Sequence, residues 1–443
     1  MNLTTMLPEL YAQLLWLVIA VPLILAIPAV HSKMRWPLHL AILPAILLVL
    51  LSLTLLPAEV KLDIPWLLFG TGFAIDNDIR WILGMSVIIW LVAASLISSA
   101  ANKTSEKNIN SFLLLTMAGN LGCILSSELV GFFTFSTLMG YGFYGLLIKG
   151  EKKSIHQAGR IYLVFFILAD LALFEALLLA ASTAENLHYA AVHQAITNSS
   201  FSNFYLWMAL IGFSMKAGIL PFHIWLSAIY QSAPLTRRFL LGRFLLGGIP
   251  IATALLGLIR WLPLGEDTFY LPGLITQVIG ISAILYCAYK LLKNTRSAHI
   301  PELTTILFSG TGIGLLGMGL SNPDTWRDMG YLSYPFIAST GLLISITTLI
   351  TARKQSTEIG SVTAENTENT LNTLIVNVFT SLQTAIDHNY TRLEKYIGRL
   401  WQMILQQFQN ILHNKSTLIF ENDWSLKITL FLIIGLVVSW LVS

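Results

Sequence analysis

The sequence predicts an all-α polytopic membrane protein with about twelve transmembrane helices, and three observations support this fold class. Of the 443 residues, 55% are hydrophobic and only 11% are charged. The mean hydropathy of +0.70 is typical of chains that cross a bilayer repeatedly, and it excludes a soluble globular domain. Apolar runs long enough to span a membrane recur along the chain. Because lipid offers the backbone no hydrogen-bond partners, each run is predicted to be a helix.

Eleven of these runs form a predicted transmembrane core over residues 1–351. We expect the first run to remain as an anchor, because no basic segment precedes it and it is too long for a cleavable signal. The eleven runs, with a twelfth near the C-terminus, lie near residues 10–30, 37–57, 80–100, 109–126, 129–149, 160–183, 204–225, 239–258, 271–291, 303–320, 331–351 and 427–442.

Two shorter patterns predict how parts of the core are built. The segment 64–81 alternates apolar residues around Gly70 and Gly72, which predicts a short outer hairpin between the second and third helices. Asp76 and Asp78 fit turn positions better than ligand positions there. The tenth run is rich in glycine, which predicts a close approach to a neighbouring helix rather than a binding loop.

Basic residues predict the orientation of the chain in a bacterial inner membrane. With the N-terminus outside, the cytoplasmic loops of the core hold fifteen lysines and arginines and the outer loops hold four. The positive-inside rule therefore predicts an outer N-terminus. It also predicts that the segment after the eleventh run is cytoplasmic.

The C-terminal part of the chain predicts a lateral helix. Residues 352–370 are rich in Thr, Glu, Asn and Ser, which is typical of a polar linker. Over residues 371–414, apolar side chains recur every third or fourth position. This pattern predicts an amphipathic helix on the membrane surface, ~65–70 Å long at about 1.5 Å per residue. Its stripe is broader than a coiled-coil seam, and we expect Trp401, Leu405 and Phe408 to bind neighbouring subunits.

The stretch Gly212–Pro234 carries a lysine deep inside an apolar run. Lys216 lies about a dozen residues into this run, near the predicted bilayer midplane. A charge there costs about 2.5–3.5 kcal/mol on insertion scales, so we expect Lys216 to have a partner and a function. The alternatives are a lysine that snorkels to a headgroup or pairs only within the core. Pro221, His223 and Trp225 predict a broken helix end that reaches the membrane interface.

This stretch resembles a segment of the antiporter-like subunits of respiratory complex I, membrane-bound hydrogenases and multi-subunit cation/proton antiporters. The resemblance implies a proton-translocating core, an outer hairpin and, as in the largest such subunit of complex I, a long lateral helix before a last span. The chain is also similar to the antiporter-like subunit of two-component inorganic-carbon uptake systems, whose partner is a large soluble zinc protein. The matching residues are Lys216, Pro221, His223, Trp225, Leu226, Ala233 and Pro234.

Several channel residues that the resemblance implies are missing. Family members pair the lysine with a glutamate of the fifth helix, and Thr137 occupies that place here. Gly242 stands where the family has a histidine. The eleventh run, over 331–350, contains no Lys, His, Asp or Glu. The core is therefore a truncated version of the family pattern, without its later helices.

The remaining ionisable residues define a candidate ion pathway. Asp170 corresponds to an aspartate of many family members, and we expect it to be the counter-ion that keeps Lys216 charged. Such a pair is a proton relay if it forms and breaks as a proton passes. It is a packing element if it is static, and both interpretations stay open. The candidate pathway comprises Lys216, Asp170, Glu175, His223, Arg243 and Glu128.

We predict no cofactor, metal, nucleic-acid or catalytic site in this chain. Cys123 and Cys287 lie in apolar runs without metal-ligand or disulfide spacing. The expected function is an ion-translocating or energy-coupling subunit of a multi-subunit complex, carrying H⁺ or Na⁺ in contact with lipid and partner subunits. One alternative is the membrane subunit of a proton-gradient-driven carbon-uptake complex with a zinc-containing partner. The other is a structural subunit whose channel has decayed.

Overall fold

The computed structural model is a bundle of α-helices with one small β-hairpin. It describes residues 3–29, 37–54, 60–64, 71–98, 109–148, 153–231, 237–266, 269–293 and 300–360. In chain order the elements are α1 (Leu3–Ala29), α2 (Pro37–Thr54), β1 (Val60–Asp63), β2 (Gly72–Ile75), α3 (Ile79–Ser98), α4 (Ile109–Leu125), α5 (Leu129–Ile148), α6 (Lys153–Thr183), α7 (Tyr189–Thr197), α8 (Ser202–Ala217), α9 (Ile224–Gln231), α10 (Arg237–Leu246), a π-helical turn (Gly247–Ile251), α11 (Ala252–Trp261), α12 (Tyr270–Leu292), α13 (Ile300–Ser321), α14 (Pro323–Met329), a 3₁₀ turn (Gly330–Leu332) and α15 (Ser333–Gly360).

The helices of the core match the apolar runs of the sequence, and the predicted fold class is confirmed. In the described part of the chain, six helical segments are long and apolar enough to cross a membrane, namely Leu129–Ile148, Ile155–Thr183, Leu241–Trp261, Tyr270–Leu292, Ile300–Ser321 and Pro323–Thr351. Four shorter apolar segments cover the first four predicted runs, and α8 with α9 covers the seventh.

The predicted hairpin is present and packs against the turn between α4 and α5. β1 pairs antiparallel with β2, so its first strand begins at Val60 rather than at residue 64. The N–H of Ser127 donates to the Gly72 carbonyl at 3.0 Å. Asp76 accepts the N–H of Ile79 at 2.8 Å, as expected of a residue that caps a helix start. The hairpin therefore marks one end of the bundle, which we call the hairpin face.

The seventh span is a broken helix. α8 ends where Gly218 adopts a left-handed φ of +63°, a conformation that glycine reaches without steric cost. Its N–H closes the α8 end on the Met215 carbonyl at 3.3 Å. Pro221 then prevents an immediate continuation of the helix, and α9 resumes at Ile224.

The break lies beside Pro221 as predicted, but the predicted end of the span at this point is wrong. The span does not end near residue 225 at an interface but continues to Gln231. Trp225 is 1% exposed, and its indole N–H donates to the Met215 carbonyl at 2.8 Å. The ring packs edge-on against Tyr162. Trp225 therefore fills the core beside the break and gives the Met215 carbonyl at the end of α8 a second donor.

The eighth span contains a π-helical turn around Pro250. Proline lacks an N–H, so it cannot maintain the α-helical bonding pattern through this turn. Gly248 allows α15 to cross closely, since a Cβ at that position would lie 3.1 Å from the Gly341 carbonyl. The Ser345 hydroxyl of α15 donates to the Phe244 carbonyl at 2.9 Å. Neighbouring α15 thus compensates for the irregular backbone.

The glycines of α13 allow close packing against α12, as predicted. A Cβ at Gly280 would lie 2.8 Å from the Cα of Gly314, and a Cβ at Gly317 would lie 2.7 Å from the Gly273 carbonyl. The N–H of Phe269, just before α12, donates to the Leu320 carbonyl near the end of α13 at 2.8 Å. The two helices are therefore antiparallel, with the end of α12 beside the start of α13.

α15 continues through Gly360, past the linker boundary expected after residue 351. The rest of the predicted linker, the lateral helix with Trp401, Leu405 and Phe408, and the last span lie outside the described residues.

Candidate functional site

Lys216 forms an ion pair inside the bundle. It lies in the last turn of α8, and its Nζ atom is 2.7 Å from Oδ1 of Asp170 on α6. The two side chains are only 5% and 13% exposed. This is the pairing expected from the sequence, while the relay role of the two residues stays a prediction.

Helix α5 supplies hydroxyl groups to both members of the pair. The Lys216 ammonium donates to Oγ of Ser136 at 2.7 Å. The Thr137 hydroxyl donates to Oδ2 of Asp170 at 3.3 Å. Phe166 adds its ring face, with its centroid 4.6 Å from Nζ. Thr137 therefore contacts the carboxylate from the position where the resemblance implies a glutamate.

The broken helix stabilises the charge of Lys216. Carbonyl groups at the end of α8 have no continuing helix to bond, so their partial negative charge favours a cation in the last turn. This contribution is typically about 0.3–1 kcal/mol near a surface and up to about 2 kcal/mol in partly buried geometry. The ion pair, the Ser136 hydroxyl and the helix end together replace the interactions with water that the ammonium loses on burial.

A small cavity adjoins the ammonium group. Its volume is about 10 Å³, which is close to the minimum that holds one water molecule. The broken seventh span and the π-helical turn of the eighth span meet at this cavity, since Lys216, Trp225 and Pro250 all line it. Ser136 and Tyr162 supply polar atoms to the same wall.

Two predicted pathway residues do not reach this pair. Glu175 is half-buried on α6, and no ion pair joins it to Lys216 in the described structure. Glu128 lies just before α5 at the hairpin face, bridged to His188, about 12 Å along the helix from Ser136 at 1.5 Å per residue. Burial raises the pKa of the Glu128 carboxyl above its ordinary value, against the opposing influence of Thr71 and His188.

The other two predicted pathway residues lie on the opposite side of the break. His223 is the last residue before α9. Its ring packs edge-on against the Tyr286 ring, with the two ring centroids 5.5 Å apart. The Arg243 guanidinium donates to the carbonyls of Ile229 and Tyr230 at the end of α9. A cation at this position complements the partial negative charge of the helix end.

Sequence reasoning missed two buried charged residues. Glu302 is 5% exposed, and Oγ of Ser227 donates to its Oε1 atom at 2.5 Å. Arg260, counted as an outer-loop residue from the sequence, is 8% exposed. It donates to the carbonyls of Cys123, Ile124 and Ser126 at 2.8–2.9 Å and so caps α4. Their partners lie too far along the chain for any local pattern to reveal them.

A family model and several proteins are similar to this chain. Residues 126–296 match the model described as "NADH:quinone oxidoreductase/Mrp antiporter, TM". NADH-quinone oxidoreductase subunit M of Buchnera aphidicola is 27% identical over 285 residues, covering 59% of this chain and 53% of that protein. Hydrogenase-4 component B of Escherichia coli is 23% identical over 221 residues, covering 48% and 32%. The chain therefore spans about half or less of the length of these relatives.

Two solved structures share the fold. A chain of the membrane-bound sulfane sulfur reductase, described as an archaeal respiratory membrane complex, superposes with a TM-score of 0.61 at 17% identity. That match covers 76% of this chain and 56% of the other. A chain of the Mrp complex from a Dietzia species superposes with a TM-score of 0.59 at 17% identity, covering 81% of each chain.

Proposed function

We propose that this chain is an antiporter-like membrane subunit that relays protons through Lys216 and Asp170, because residues 126–296 match the family model of NADH:quinone oxidoreductase and Mrp antiporter transmembrane subunits. The buried ion pair at 2.7 Å is the observation that carries the proposal. A lysine ammonium and a carboxylate placed deep in an apolar bundle are costly, so their retention favours a function in charge movement.

The relay works by breaking and remaking this pair. A proton that arrives at Asp170 neutralises the carboxylate and removes the main stabilisation of the neighbouring ammonium. Lys216 then releases its proton, because an unpaired charge is disfavoured in a dry interior. When Asp170 gives up its own proton, Lys216 regains one and the ion pair forms again. Each cycle moves protons without net change in the chain.

The surroundings of the pair suit such a cycle. Thr137 and Ser136 each have a rotatable hydroxyl, which can donate or accept as the charges change. The adjoining cavity is large enough for about one water molecule, and such a water could pass a proton between the pair and a neighbouring group. The break after α8 leaves Lys216 at a helix end, where its local environment can change without unwinding a continuous span.

A static coupling subunit is the second candidate, and the close packing of the pair favours it. Every described partner of the ammonium is already in contact, and the cavity is small. In that case the pair fixes helices α5, α6 and α8 against one another, and the chain transmits a partner's conformational change. The two candidates differ in one property, since only the relay requires Lys216 to release its proton.

The assembly that contains this chain is part of the proposal. The named relatives include an NADH-quinone oxidoreductase subunit and a hydrogenase component, which favours a membrane complex with further subunits. The two-component carbon-uptake alternative stays a prediction. We expect affinity purification of the full chain in mild detergent to recover redox or antiporter subunits. Recovery of one large zinc protein instead would support carbon uptake and contradict the redox assignment.

The orientation is also proposed, from the excess of basic residues in one set of loops. Gln157 and Asn186 are exposed residues near opposite ends of α6, so a cysteine at each reports a different side of the membrane. We expect a membrane-impermeant thiol reagent added to intact cells to label Asn186→Cys and to spare Gln157→Cys. The two positions are controls for each other, and the reverse pattern would contradict the outer N-terminus.

A further inference from the structure

A second buried polar cluster lies at the end of the bundle opposite the hairpin face. It is formed where α9 ends, α10 begins, α12 ends and α13 begins. At its centre is Glu302, whose carboxylate accepts the Ser227 hydroxyl at 2.5 Å. Close by, the hydroxyls of Tyr230 and Thr305 lie 3.2 Å apart. Helices α9 and α13 therefore bring four polar side chains together, one of them a buried carboxylate.

His223 connects this cluster to the break in the seventh span. It precedes Ser227 by four residues, and the Ser227 N–H donates to the His223 carbonyl at 3.1 Å, so the two residues lie one helical turn apart. The Nδ1 atom of the ring is buried and has no hydrogen bond to the described residues. Lys216 lies on the other side of the same break, in the last turn of α8. Along the seventh span, His223 thus stands between Glu302 and the Lys216–Asp170 pair.

The charged groups around the cluster come from each element packed against it. Glu302 acts electrostatically on His223, on Tyr230 of α9, on Arg243 of α10 and on Cys287 of α12. Lys290 of α12 acts on His223 with the opposite sign. Its ammonium lies 5.4 Å from the Tyr286 ring centroid, on the side where α12 ends. A nearby cation such as Arg243 favours the ionised form of the Glu302 carboxylate, so Glu302 passes on a proton readily once it has taken one up.

A purely structural role for Glu302 explains less of this arrangement. A glutamate in the first turn of α13 is favourable for the helix dipole, but an exposed side chain serves that purpose equally well. Burial of the carboxylate at 5% exposure is costly and is unnecessary for capping. The hydrogen bond that Glu302 accepts from Ser227 of α9, one turn after His223, is likewise unnecessary for capping.

We propose that Glu302, Ser227 and His223 form a proton-loading site that exchanges protons with water at this end of the bundle and delivers them toward Lys216. The inference rests on the relay function proposed above. The Glu302 carboxylic acid gives its proton to the neutral His223 ring, which leaves a carboxylate and an imidazolium. The imidazolium then gives the proton to the Lys216 amine after the ammonium has released its own, and the imidazole is restored.

The test uses the complex purified through the full chain and reconstituted in vesicles, with proton flux measured under an imposed pH gradient. Glu302→Gln keeps the shape of the side chain and an oxygen for Ser227 but cannot carry the proton. We expect its flux to fall about tenfold or more, with subunit recovery and thermal stability unchanged. Glu302→Asp should retain flux with a shifted pH profile. Thr304→Val, in the same turn of α13, is the matched control and should behave as wild type, because its hydroxyl bonds to carbonyls of α13 and lies 3.4 Å from the Thr347 hydroxyl, away from the Ser227 contact.

Three outcomes would overturn the inference. Glu302→Gln flux within about twofold of wild type, while Lys216→Ala blocks flux, would remove the loading site and leave the relay intact. Equal loss of flux and of stability in Glu302→Gln and Glu302→Asp would assign Glu302 a packing role. A wild-type complex that carries no flux would overturn the relay and the loading site together.

Discussion

Replacing Lys216 by alanine is expected to abolish the ion-coupled activity of the complex while the chain still inserts and assembles. The substitution removes the cation of a pair whose charged atoms lie 2.7 Å apart in the bundle interior. Without an amine that releases and regains a proton the cycle stops, so coupled flux should fall by about a hundredfold or more. The measurement is gradient-dependent activity of the purified complex, normalised to the amount of this subunit.

The fate of Asp170 provides an independent check on the Lys216→Ala variant. A buried carboxylate without its cation is strongly disfavoured, and removing one member of a buried pair typically costs about 3–5 kcal/mol. We expect the chain to avoid this cost by keeping Asp170 protonated. Infrared spectroscopy should then show a protonated carboxyl band that disappears in the Lys216→Ala/Asp170→Asn double variant. Lys293→Ala, which removes an exposed lysine from the end of α12, should leave both activity and spectrum unchanged.

Replacing Asp170 by asparagine should have the second largest effect. The asparagine keeps a hydrogen-bond acceptor for Thr137 but leaves the ammonium without its counter-ion. Removing one member of a buried pair typically costs about 3–5 kcal/mol, and less where Lys216 releases its proton, so both stability and flux should fall. We expect a lower thermal midpoint of the complex and loss of gradient-dependent activity.

A glutamate at position 137 should restore part of this loss. Thr137 Oγ1 lies 3.3 Å from Oδ2 of Asp170, and the adjacent Ser136 already contacts the ammonium. A glutamate there can therefore place its carboxylate near Lys216. Asp170→Asn/Thr137→Glu is expected to recover stability and some flux, whereas Asp170→Asn/Thr137→Gln should not. Equal behaviour of the two double variants would show that a negative charge at position 137 does not replace the counter-ion of Lys216.

The membrane core could be predicted from the sequence because its signals are local. Long apolar runs, alternation around the hairpin and the glycine pattern of α13 each act within one segment. The pairing of Lys216 with Asp170 could be anticipated because few ionisable residues occur at that depth. Charges in lipid are expensive, and a chain that keeps two of them close to the midplane has reason to pair them.

The rest of the site depends on contacts between distant segments. Ser227 and Glu302 are 75 residues apart, so no spacing pattern joins them. Trp225 belongs to a residue type that suits both a membrane interface and a buried break, and only packing against Tyr162 decides between them. Helix geometry alone could have predicted that Glu175 does not join the ion pair. Five residues beyond Asp170 at about 100° per residue, it falls about 140° around α6 from the ion pair.

Proton flux through vesicles containing the Lys216→Arg complex tests the central claim most directly. Arginine keeps a permanent cation beside Asp170, but a guanidinium does not release its proton near physiological pH. The relay therefore predicts an assembled, stable complex with flux reduced to background, beside a wild-type complex that dissipates the imposed gradient. Wild-type flux in Lys216→Arg would contradict the relay and leave the ion pair as a static element that couples helices α5, α6 and α8.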